Sequence, residues 1–223
     1  MRLLKLMAAI FVASAATFTA TAQDKAYFGV RAAYDMCTST KNSYMTGWGS
    51  GFSVGGVYFA PFGKLTFFQP GLMFYADNIR IDGTTKNEDN RHTYDGNIRT
   101  YGLRMPLDFG LKVINNKAIG LNVYTGPHLY FNFSSKMICD DTYYGKTIHI
   151  NEKLSTPGME LGWALGIGIN VCKRWHIFAE GIYGLSDLGK TYRFDRIYIE
   201  DTEQSNASYL RRAEFSFGIG YNF

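Results

Sequence analysis

The chain carries only five prolines in 223 residues and three cysteines, Cys37, Cys139 and Cys172. An odd cysteine count excludes a fully paired disulfide framework and leaves at least one thiol free or intermolecular. A Cys37–Cys139 bridge and three unpaired thiols both remain open. No Cys-x-x-Cys or His-x-x-x-His spacing occurs, so no metal site and no cofactor is expected. Long apolar runs are missing as well. Beyond the N-terminal region no segment approaches the roughly 18 uninterrupted apolar residues that a spanning helix needs. No 3.6-residue periodicity persists either, which excludes a helical architecture. Net charge is small, +4 for the whole chain. Such a weak, scattered positive charge excludes a nucleic-acid surface.

What is abundant is aromatic and small: sixteen Tyr, seventeen Phe and twenty-four Gly. That composition suits many strands and tight packing. The first residues have a different character. Met1-Arg2-Leu3-Leu4-Lys5 is basic, an apolar run extends from Leu6 to Phe18, and Ala20-Thr21-Ala22 supplies small residues. This reads as a secretory signal peptide, residues 1–22, cleaved before Gln23. Residues 23–223 then form one domain, of net charge about +2 once Arg2 and Lys5 are removed.

Eight strand candidates follow: 25–34, 48–59, 64–77, 98–113, 119–134, 158–171, 175–185 and 208–223. Connections alternate in length. Ala60-Pro61-Phe62-Gly63, Ile114-Asn115-Asn116-Lys117 and Cys172-Lys173-Arg174 are short, whereas the others run to a dozen or more polar residues. Outer-membrane barrels show this asymmetry, with short periplasmic turns and long extracellular loops.

Two-faced alternation is clearest in the fourth candidate. Tyr101, Leu103, Met105, Leu107, Phe109, Leu111 and Val113 share one face, and Thr100, Gly102, Arg104, Pro106, Asp108, Gly110 and Lys112 share the other. Alternation alone does not say which face points inward, because a soluble lipocalin-like barrel buries its apolar face. The glycines decide. They weaken strands and serve little purpose on an open solvated face, but beside large charged residues they fit the narrow interior of an eight-strand barrel. The polar face is therefore read as the lumen, holding a charge network of Arg104, Asp108, Lys112, Glu160, Glu180, Arg212 and Glu214. Buried charges must pair, so these groups are expected to plug the interior rather than line an ion path. Pro70, Pro106 and Pro127 lie within strands, where bulges are expected.

The last residues alternate too. Phe215, Phe217, Ile219, Tyr221 and Phe223 form one apolar face ending on an aromatic carboxylate, as expected of a closing strand that carries a barrel-insertion signal. Partners expected on these grounds are outer-membrane lipid and the barrel-assembly machinery during insertion, with no nucleic acid.

Leu103-Arg104-Met105-Pro106-Leu107, with Lys112 downstream, resembles a strand of the PorT-like outer-membrane β-barrel family of the Bacteroides group. Phe68-Gln69-Pro70-Gly71-Leu72 resembles that family's third strand, and Tyr183-Gly184-Leu185-Ser186-Asp187-Leu188 the close of its seventh. The resemblance spans the whole chain after the leader. Arg104 departs from it, since the family places Glu there. The resemblance implies fold and location, and no shared activity. Some members serve in assembly of a secretion system.

Catalysis has little support. Outer-membrane lipid enzymes need a Ser–His pair, or His with a carboxylate, near the membrane surface. His92 and His149 fall in polar loop sequence, His128 on the polar face of strand five, and His176 beside a short turn, where it reads as an interface residue. Function is instead expected in the loops. These are Asp77 to Gly96, Ser135 to Pro157, and a ribbon Thr191 to Glu200 that could pair with a protein or glycan partner. The sequence thus reads as an all-β, eight-stranded, antiparallel, up-and-down transmembrane barrel. A non-enzymatic structural or surface-interaction role is expected; an envelope-assembly or secretion component, a narrow pore and a lipid-modifying enzyme are the alternatives.

Overall fold

The computed structural model describes residues 25–40, 46–87, 90–116, 118–143, 145–154, 158–186 and 211–223. The leader and the Thr191–Glu200 ribbon lie outside them. Alternating side chains produce ten strands: β1 Tyr27–Thr40, β2 Thr46–Gly47, β3 Gly49–Phe62, β4 Thr66–Asn87, β5 Asn90–Asn115, β6 Ile119–Tyr143, β7 Lys146–Leu154, β8 Glu160–Val171, β9 Trp175–Gly184 and β10 Arg211–Asn222. Eight of them, β1, β3, β4, β5, β6, β8, β9 and β10, pair antiparallel with their neighbours in chain order. The pairing of β1 with β10, from Gly29↔Asn222 to Thr40↔Arg211, closes the ring. This is an up-and-down barrel, and closure leaves the ring without a strand edge.

The polar face points inward. Along β8 the apolar residues look out, Leu165 being 64 % exposed, while Glu160 and Ala164 are buried. Phe28, Val30 and Tyr34 on β1, Phe52 and Val54 on β3, and Phe109 and Leu111 on β5 continue the apolar belt outside. A soluble protein does the reverse. An apolar exterior around a charged interior is the pattern of a barrel solvated by lipid.

Lumenal glycines make room for rings on the adjoining strand. Gly110 pairs with Phe67, Gly166 with Tyr124 and Gly218 with Phe178. A Cβ on Gly166 would stand 2.3 Å from the Tyr124 ring, and one on Gly110 2.1 Å from Phe67. Each glycine is where it is because an aromatic lies across it.

Short turns close one end. The β8–β9 connection is the three residues Cys172–Arg174, with Arg174 N donating to Val171 O at 3.2 Å and positive φ at Cys172 (51°) and Lys173 (60°). At the other end the strands outrun the ring. Hydrogen-bonded pairing of β4 with β5 continues to Asn87↔Asn90, and β7 pairs with β6 from Ser135↔Leu154 to Tyr143↔Lys146. The segments Asp77–Gly96 and Ser135–Pro157 were expected as loops. They are instead largely sheet, because Thr, Ile and Tyr recur through their polar sequence and let the ladder run on.

The expected bulges at Pro70, Pro106 and Pro127 do not occur. On the β3–β4 ladder Val57↔Gly71 is followed by Ala60↔Phe68 without change of register, so skipped pairings absorb the missing donor. Pro127 stays in register opposite Trp163. Register shifts lie instead on the β5–β6 ladder, at Tyr101/Gly102 and Lys112/Ile114. All three cysteines are free: Cys37 and Cys139 buried, Cys172 exposed.

Candidate functional site

The lumen holds the densest chemistry. Arg104 on β5 is fully buried (0 % exposed), and its guanidinium bonds Glu214 on β10, donates to Ser53 Oγ on β3 at 2.8 Å and lies 3.7 Å from Glu180 on β9. Arg212 on β10 bonds Asp77 on β4 and reaches Glu160 on β8 at 3.3 Å and Glu214 at 4.0 Å. Its guanidinium also stacks over Tyr130 and Tyr75, 4.8 and 5.2 Å from their ring centroids. Tyr130 Oη donates to Glu214 at 3.2 Å, Ser216 Oγ donates to Glu214 at 3.0 Å, and Tyr124 Oη donates to Glu180 at 3.2 Å. Asn132 on β6 bonds Glu160. Two arginines thus hold four carboxylates from four strands. Leaving any one of these charges alone in so dry a place is costly, and the multiple partners offset that cost.

Five of the seven charged residues named from the sequence, Arg104, Glu160, Glu180, Arg212 and Glu214, fall in this one network. Asp108 is bonded to His128 Nε2 at 3.0 Å and borders the network, since Asp108, His128 and Glu180 bring polar atoms within 4.8 Å of one another. Lys112 lies at the short-turn end, its Nζ 5.3 Å from the Phe59 ring centroid.

Several lumenal partners escaped sequence reading. Asp77 lies within an inward series, Met73, Tyr75, Asp77, Ile79, and that parity was the available signal. Asp35 is buried opposite Ser216 on β1, beyond the expected end of that strand. Arg31 donates to Gln69 at 2.8 Å and stacks over Phe178 at 5.1 Å. His176 is also lumenal rather than interfacial. It shares the inward parity of Phe178 and Glu180, is buried, and bonds Asn170 at 2.7 Å, while Trp175 beside it faces out. Gly51-Phe52-Ser53-Val54-Gly55 spells the Gly-x-Ser-x-Gly pattern of serine hydrolases, which the reading of the sequence had wrongly taken to be absent. That motif works only on a strand-to-helix elbow. Ser53 lies within β3, buried, with Arg104 as its hydrogen-bond donor.

Outside the ring, His149 on β7 is exposed and lies 2.5 Å from Asp140 on β6. Burial, with Asp141 and Asp140 nearby, pushes the Cys139 thiol on this hairpin up to about 11. On β10, Phe215, Phe217 and Ile219 face outward, Phe215 and Phe217 stacking edge-on at 4.6 Å, and Tyr221 meets Phe223 at 5.4 Å.

A closed ring of eight strands, charged within and apolar without, defines the class as an integral outer-membrane barrel. A family model described as an outer membrane protein beta-barrel domain matches residues 16–189, and the chain belongs to that family. Among solved structures it is similar to the attachment invasion locus protein Ail of Yersinia pestis, at 14% identity and TM-score 0.44, over 90% of this chain and 100% of that one. Neisserial surface protein A is similar at 16% identity and TM-score 0.42, over 90% and 100%. The translocator domain of the autotransporter NalP from Neisseria meningitidis follows at 12% identity and TM-score 0.35, over 98% and 95%. No curated protein matches.

Proposed function

We propose that this is a non-enzymatic outer-membrane barrel with a plugged lumen, acting structurally or as a surface-interaction protein through its extracellular hairpins. The observation that carries the reading is the sheet of β4, β5, β6 and β7, which continues past the ring into the external space. A rigid sheet costs less ordering entropy on binding than a loose loop would. Its β7 strand offers exposed Ile148 and the His149–Asp140 pair to a protein or glycan partner. The Arg104–Arg212 network supports the plug, since side chains from seven of the ring's strands meet across the interior. The same enclosure speaks against catalysis at the Asp108–His128 pair, both members of which are buried.

The finer assignments belong to the same proposal. Placement within the PorT-like branch rests on the Leu103–Leu107 segment. Export rests on a signal peptide cleaved between Ala22 and Gln23, which N-terminal sequencing of the envelope protein would read directly. Insertion by the barrel-assembly machinery rests on the outward face of β10.

The test is to replace residues 139–150 by a two-residue Asn-Gly turn. The shortened protein is expected to insert and fold normally while cells lose capture of external protein or glycan ligands. Unchanged capture with a defect in protein secretion would transfer the role to envelope assembly.

A further inference from the structure

The short-turn end of the barrel opens into a cavity of about 540 Å³, within the size range of small-molecule sites. Four cationic side chains line it, from three separate parts of the chain: Lys25 ahead of β1, Lys112 near the end of β5, and Lys173 with Arg174 in the β8–β9 turn. Among the described residues lining it there is no Asp or Glu side chain, and the carboxylate of Phe223 is the one acidic group set against the four cations. The lumen is divided along its axis. Its carboxylates cluster around Arg104 and Arg212, and Asp108 lies two inward positions above Lys112 on β5. Below that level, Asn122, Asn170 and Asn222 supply neutral amides to the cavity wall. Arg31, one inward position above Gly29, has a buried Nε without a hydrogen-bond partner and bonds an amide rather than an acid.

The turn that carries Lys173 and Arg174 is held in place, and the Arg174 guanidinium donates to Tyr221 Oη at 3.4 Å. Asn222 N donates to Arg174 O at 2.7 Å, and Asn222 Nδ2 donates to Lys173 O at 3.3 Å, so the end of β10 ties the tight turn at the cavity mouth. Tyr27 and Phe59, stacked at 4.6 Å and 7° between planes, form an apolar wall. Convergent cations with amide donors, inside low-dielectric walls, concentrate a positive field on whatever enters.

We propose that this periplasmic mouth is a binding site for a small oxyanion, a ligand carrying carboxylate or phosphate groups. The lysines and Arg174 neutralise the anion, the asparagine amides donate to its remaining oxygens, and the Tyr27–Phe59 wall packs its carbon frame. This site is independent of the extracellular hairpins and stands or falls without them. The ligand's source is either a free periplasmic anion or acidic groups on the peptidoglycan polymer.

Isothermal titration of the detergent-purified protein with citrate and with inorganic phosphate, at low ionic strength, tests it. One saturable site is expected. Lys173→Gln with Arg174→Gln should weaken it about tenfold or more, the loss expected from even one charge-assisted hydrogen bond. Lys112→Met should weaken it comparably. Lys64→Gln, in the β3–β4 turn at the same end but outside the cavity, should leave it unchanged. If Lys112→Met fails to fold, the turn variant alone decides. Co-sedimentation with isolated peptidoglycan, released by citrate, would assign the polymer as source; citrate binding without co-sedimentation would assign the free anion. Absence of a saturable site overturns the proposal, as does equal weakening by Lys64→Gln.

Discussion

Glu214 is the residue on which most of the lumen converges. It receives Arg104, Tyr130 and Ser216 and lies 4.0 Å from Arg212. Arg104→Ala strands that carboxylate beside Glu180 and is expected to cost about 3–5 kcal/mol, the range for breaking one member of a buried pair. Arg104→Met combined with Glu214→Leu should recover much of the loss, because the apolar pair leaves neither charge alone. Urea unfolding in detergent measures both, and a double variant no better than the single would contradict the pairing. Gly166 supplies a second residue-scale prediction. Gly166→Val drives a side chain into the buried Tyr124 ring and should destabilise by about 1–3 kcal/mol in the same assay. At this scale the sequence was legible where parity ran unbroken. Arg104, Glu160 and Glu214 could be placed inside from their neighbours. Asp77 and Asp35 were missed, because each falls at or past an expected strand end, where parity helps only if the ladder is known to continue.

At the scale of the element, the short turns stood out in the sequence and the long hairpins did not. Apolar runs broken by Gly63, Asn115-Asn116 or Cys172-Lys173-Arg174 mark the turns. The hairpins above the ring lack an apolar face, so nothing in their pattern separates strand from loop. The β8–β9 turn is itself suboptimal, since Cys172 and Lys173 both hold positive φ without being glycine. Cys172→Asn with Lys173→Gly suits that geometry and should raise the unfolding midpoint, by about 1 kcal/mol of stability, as for relieved left-handed residues. A lower midpoint would mean the side chains, not the backbone, hold this turn. Orientation can be read with a membrane-impermeant maleimide. Cys172 should react only after the outer membrane is opened, and the buried Cys37 and Cys139 only after unfolding. A cysteine introduced at Ile148 should react on intact cells. Labelling of Cys172 on intact cells would invert the barrel.

For the molecule as a whole, the question that alternation left open was which face meets lipid, and packing answers it. Lumenal glycines lie against Phe67, Tyr124 and Phe178, and no such accommodation is needed on the outside. The proposed plug has a consequence of its own: planar bilayers containing the protein should show no reproducible conductance steps, and regular steps would mean an open path past Arg104. The central claim is the closed, lipid-facing ring, and its most direct test is gel mobility of the detergent-folded protein with and without boiling. A ring closed by β1 and β10 has no free edge for SDS to open at room temperature, so the unboiled band should migrate apart from the boiled one. Identical bands from protein that stays soluble without detergent would contradict the account.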